Sequence, residues 1–186
     1  MAPSLFRAKP YEKLLSYQRS LVVYLATVCF CRRFMNPKDR TVDQIIQAAR
    51  SGKQNIVEGA MASATSKETE IKLTNVALAS LAELQEDYRD YLATHNTAVW
   101  EKNSREATYV RNLCRRKNPD YENTYKIFVE TRPDTVVANI LICLIHQTMF
   151  LLRRQLAALE KQFLEKGGVR EQMTAARLSF RDGGKK

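Results

Sequence analysis

The stretch TVDQIIQAARSGKQNIVEG, Thr41–Gly59, and the TSKETEIKLTNVALASLAELQEDYRDYLAT that follows it, Thr65–Thr94, decide the fold. In the first segment Val42, Ile45, Ile46, Ala49, Gly52 and Ile56 recur at the spacing of one helix face. Leu73, Ala77, Leu81, Leu84, Tyr88 and Tyr91 form the same kind of stripe in the second. Thr41 with Gln44, and Thr65 with Glu68, have capping-box spacing, so each segment is predicted to begin its own helix. The link from Met61 to Thr65 is short, which predicts an antiparallel hairpin. Small residues crowd the first stripe, including Ala48, Ala49, Gly52 and Gly59. Gly52 costs roughly 1 kcal/mol relative to Ala inside a helix, and a close approach of the second helix is the expected compensation.

Working outward, Tyr11 to Phe34 reads as a helix entered at Pro10 and ended by Asn36-Pro37, and Pro133 opens another that runs to Lys166 before Gly167-Gly168. Both are apolar on nearly every side around Leu21–Phe30 and Val136–Leu152, so each needs a second cover beyond the bundle core. A neighbouring subunit is the expected cover. A membrane span is the alternative for Val136–Leu152, disfavoured because Asn139, His146, Gln147 and Thr148 interrupt the run. Between them, residues 95–132 interleave Trp100, Tyr109, Tyr121, Tyr125 and Phe128 with Arg and Lys, and break near Asn118-Pro119. The fold expected is therefore all-α: an antiparallel four-helix bundle over residues 1–166, a partly helical insertion at 95–132 between helices 3 and 4, and a basic C-terminal tail at 167–186.

Lys and Arg number 30 against 20 Asp and Glu, a net charge of +10, which makes a polyanionic partner the leading expectation and solubility alone the blander one. Arginine clusters supply the candidate contacts: Arg32 and Arg33, Arg115 and Arg116 with Lys117, and Arg153 and Arg154. Their forked donors suit phosphate, and Trp100, Tyr109 and Tyr125 could stack unpaired bases. Taken one at a time, each doublet reads more simply as a solvated face. Ser51, Asn55 and Glu58 on the second helix, with Ser80 and Glu83 on the third, form a candidate polar network that fixes helix register. A catalytic pairing of Glu58 with Glu83 is the sharper alternative.

No catalytic residues, metal ligands or cofactors are expected. His95 and His146 are the only histidines, no Glu-x-x-His pair or phosphate loop is present, and Cys29, Cys31, Cys114 and Cys143 lack metal-ligand spacing. The start of the chain shows no secretory apolar region, so reduced thiols and a cytoplasmic location are expected.

The elements Asn55-Ile56-Val57-Glu58-Gly59 and Ser80-Leu81-Ala82-Glu83-Leu84, with Gln47 to Ser51 and Ser66-Lys67-Glu68 around them, carry a resemblance. They resemble the bacterial four-helix-bundle family related to the proteins of 23S rRNA intervening sequences and to the accessory variability proteins of diversity-generating retroelements. The resemblance covers about a third of the chain. It implies a homo-oligomer, in some members a pentamer, that binds RNA or DNA and serves a reverse transcriptase. A second expectation, from another class, is a protein–protein scaffold in which the insertion recruits a partner and the charge is incidental.

Overall fold

A computed structural model describes residues 10–116 and 119–183. Seven helices are described: α1 (Leu15–Phe34), α2 (Arg40–Ala62), α3 (Lys67–Thr94), α4 (Arg105–Leu113), α5 (Lys126–Thr131), α6 (Asp134–Lys166) and α7 (Val169–Gly183). A 3-10 turn, Tyr11–Lys13, precedes α1, and a π turn, Tyr121–Tyr125, leads into α5. No strand occurs among the described residues, so the all-α class holds.

The helix starts follow local chemistry, shifted from the expected caps. Asp39, not Thr41, caps α2, its side chain accepting from the Thr41 amide at 2.9 Å. Ser66, one residue past Thr65, caps α3 by accepting from Thr69 N at 3.1 Å. Several competent capping residues sit side by side at both starts, and the one with extended backbone takes the role. Pro133 precedes α6 and Gly167, at φ +68°, ends it, as expected.

α1 packs on α2 and α6, and α3 packs on the same two helices. Pairings fix the register. Gly52 faces Leu81 and Gly59 faces Leu73, so numbers fall along α3 as they rise along α2. Ser16 donates to Gln155 Oε1 at 2.7 Å, Gln85 meets His146 at 2.7 Å, and Tyr91 donates to the Asp134 carboxylate at 2.9 Å. At the centre the buried Tyr88 hydroxyl donates to Thr27 Oγ1 at 3.0 Å, and Phe30 lies edge-on to Tyr88 and Tyr91.

The second cover of the two apolar helices comes from within the chain. α4 lies along α6, while the π turn and α5 lie on α1. Val110, Leu113, Tyr121, Tyr125 and Val129 of the insertion join the same core as Val22, Val23 and Leu141. Cys31 turns toward Tyr88 and Cys29 toward Tyr121, so the two cysteines, on opposite sides of α1, are both buried. A neighbouring subunit is not required to explain apolar residues on every side of α1 and α6. α6 is long and apolar enough to cross a membrane by length and composition, and 61% of its apolar window is buried inside the protein. Residues 169–183 of the expected tail form α7, none of whose described side chains is buried.

Candidate nucleic-acid interface

The expected phosphate-binding arginines divide by what already holds them. Arg33 donates to the carbonyls of Val129 and, at 3.3 Å, Arg132, and its guanidinium lies 4.3 Å from the Phe34 ring centre. It closes the C-terminal end of α5, where a cation is favoured by the unpaired carbonyls, and its fork is occupied. Arg32 is exposed beside it. Arg115 and Arg116 are exposed just beyond α4, and Arg153 and Arg154 are exposed on α6. None of these five has an ion pair among the described residues. Lys117 lies outside the described residues.

A buried arginine positions one of these pairs. Arg19, 7% exposed, donates to Pro119 O at 2.8 Å and Cys114 O at 3.0 Å, holding both ends of the segment that carries Arg115 and Arg116. One turn before it on α1, Ser16 bonds Gln155, next to Arg154. Arg115, Arg116, Arg153 and Arg154 thus belong to the end of the molecule where α1 begins. Arg32 and Arg33 sit about 25 Å further along α1, at 1.5 Å per residue. The same end carries Phe150, 59% exposed, with the Arg154 guanidinium 5.9 Å from its ring centre. His146, one turn before Phe150, is held below its ordinary pKa by partial burial and then by the charges of Arg89 and Arg153.

The aromatic residues of the insertion converge as well. Trp100, Tyr109 and Tyr125 line one cavity of about 690 Å³ with Phe128, Arg105 and Arg132. Tyr125 forms the floor, fully buried, its hydroxyl 2.8 Å from Cys114 Sγ and its pKa raised by burial. Tyr109 is 50% exposed and stands edge-on to Phe128 at 5.9 Å. Trp100 is fixed from α6: the Asn139 carboxamide, 1% exposed, accepts from Trp100 N at 2.7 Å and donates to Ala98 O and Thr135 O. Asn139 was visible in the sequence as a polar break in an apolar run. What it bonds across 39 residues was not.

No family model, curated protein or solved structure matches this chain. The site is therefore read from its own chemistry.

Part of the expected polar network forms. Ser51 and Ser80 hydroxyls meet at 2.9 Å across α2 and α3, and Asn55 donates to Ser51 O and Oγ. Glu58 and Glu83 stand outside it, both exposed and without a hydrogen bond or ion pair among the described residues. Glu83 lines the same cleft as Ser51 and Ser80, whereas register carries Glu58 away from it. With Gly59 opposite Leu73, Glu58 lies about ten residues along α3 from Glu83, roughly 15 Å at the helical rise. That separation also removes the carboxylate-pair alternative. Burial pushes the Cys31 thiol up to about 12 and the Cys143 thiol to about 11, so both stay protonated at neutral pH. Among the described residues no three His, Cys, Asp or Glu side chains gather as a metal site.

Proposed function

We propose that this chain is a basic antiparallel four-helix bundle, with the insertion as an integral layer, that binds nucleic acid mainly through phosphates and performs no catalysis. The observation that carries the reading is the group Arg115, Arg116, Arg153 and Arg154. These four are exposed, free of ion pairs among the described residues, and kept near one end of α1 by Arg19 and Ser16. Guanidinium groups without an ion-pair partner among the described residues, in a chain of net charge +10, bind polyanions by releasing their counterions. RNA or an RNA–DNA hybrid as ligand, a cytoplasmic location and service to a reverse transcriptase complete the proposal, on the strength of the family resemblance.

Titration of a fluorescent duplex at two salt concentrations tests it. Four neutralised phosphates give a log–log slope near −3.6, so raising salt from about 50 to 200 mM weakens binding roughly 150-fold. Reversing Arg153 and Arg154 to Glu lowers affinity for every sequence alike and flattens the slope. Absence of binding at the lower salt removes the proposal.

A scaffold reading draws on a different feature. Val169, Met173, Ala176 and Phe180 fall on one face of α7 at i, i+4, i+7 and i+11, and Phe180 is 85% exposed. Such a stripe supports self-association through α7, and with it the homo-oligomer implied by the resemblance. The two readings are compatible. Light scattering separates a monomer of 21.4 kDa from its multiples, up to the pentamer.

A further inference from the structure

We infer that the cavity between α4, α5 and the start of α6 receives one unpaired nucleobase of a single strand, with the flanking phosphates held by Arg105 and Arg132. This rests on the nucleic-acid reading above and assigns to it a strand preference that phosphate contacts alone cannot give.

The volume, about 690 Å³, falls within the 300–1,000 Å³ of typical small-molecule pockets. Aromatic side chains supply its walls, and every base offers a flat face to stack on them. Tyr109 is half exposed where the rest of α4's apolar residues are buried, so its ring is available to a ligand. Arg105 and Arg132 enter no ion pair among the described residues, and the Arg132 backbone is pinned by Arg33. Glu106 also lines the cavity, and its charge opposes a phosphate entering deeply. The part of the ligand that goes in is thus the neutral ring, and the anionic part stays at the arginine rim. A duplex keeps its bases paired and stacked and has none to offer. α4 spans about 12 Å from Arg105 to Leu113, with Arg115 just beyond its end, so one strand seated in the cavity can continue toward the arginine group.

Trp100 is the chain's single tryptophan and lines this cavity, which makes its emission a local reporter. The full-length protein is titrated with a labelled ten-nucleotide oligoadenylate, with a duplex of the same length, and with AMP, reading Trp100 fluorescence and label anisotropy together. The expected result is saturable Trp100 quenching by the single strand, with the same midpoint as its anisotropy, and duplex binding without quenching. Tyr109→Ala weakens the single strand about 5- to 150-fold, leaves the duplex unchanged, and Tyr109→Phe restores the affinity. Single-strand binding without quenching, unaffected by Tyr109→Ala, overturns the cavity assignment while leaving phosphate binding intact. Quenching by AMP as tight as by the oligomer overturns the strand in favour of a free nucleotide. No anisotropy change with any probe at low salt defeats the underlying nucleic-acid reading and the cavity with it.

Discussion

Replacing Gly52 by Ala sets two known effects of opposite sign against each other, and the structure decides between them. At an exposed helix position the change stabilises by about 1 kcal/mol, because Ala loses less backbone freedom than Gly on folding. At position 52 the new Cβ would lie 2.9 Å from both Cγ and Cδ2 of Leu81 and 3.7 Å from Ala77 O. Unstrained carbon contacts need about 3.5–4.0 Å, so something must move by roughly 0.6 Å or more. Leu81 has no exposed surface and cannot rotate outward. The displacement therefore passes into α2 and α3 themselves, which are also close at Gly59, where a Cβ would meet Leu73 at 3.4 Å. Overpacking of this kind costs about 1–3 kcal/mol, which leaves a net loss of roughly 0–2 kcal/mol after the propensity gain. A loss in the middle of that range lowers Tm by about 2–4 °C in a chain of this size. Urea denaturation of Gly52→Ala, Leu81→Val and the double variant measures it, the double recovering about 0.5–3 kcal/mol relative to the sum of the singles. If Gly52→Ala instead raises the midpoint by the full propensity gain, and the double variant shows no coupling, the close approach of α2 and α3 at this point is refuted.

Two further expectations concern the candidate interface. Arg19→Lys keeps the charge but loses the fork that reaches both Cys114 O and Pro119 O, so stability drops by about 1.5–3 kcal/mol in urea denaturation, and duplex affinity falls with it. His146, in contact with Gln85 and near Arg89 and Arg153, has a folded pKa below its unfolded one. The stability it gives is complete above about pH 6.5 and is lost as pH falls through that value toward the folded pKa, a slope that His146→Gln removes from urea midpoints taken at several pH values.

Helices whose pattern is local were legible from residues alone. The α2 and α3 stripes, the stops at Pro37 and Gly167, and the meaning of Gly52 all depend on neighbours within a few turns or on one partner helix. The cap positions shifted because Asp39 competes with Thr41, and Ser66 with Thr65, on nearly equal terms. The cover of α1 and α6 was anticipated as a need, but periodicity gives no clue whether Tyr121 and Tyr125 of the same chain or another copy supplies it. The arginines show the same limit more sharply. Arg33 and Arg154 each belong to a doublet, and a doublet reads alike whether it ends on a carbonyl, as Arg33 does, or in solvent. Arg19, in the first turns of an apolar helix, carried no signal of its bond to Pro119, 100 residues away.

The cover laid over α1 by later parts of the chain has a consequence during synthesis. α2 and α3 can close on one another as soon as both have left the ribosome, but α1 finds its remaining partners in residues 114–155. Ser16 meets Gln155 only after 139 further residues are made, about 7–28 s at 5–20 residues per second. For that interval the nascent chain presents an apolar helix that its own fold cannot yet shelter. Of the helices α1 to α6, the one made earliest must wait for the latest before its far side is covered.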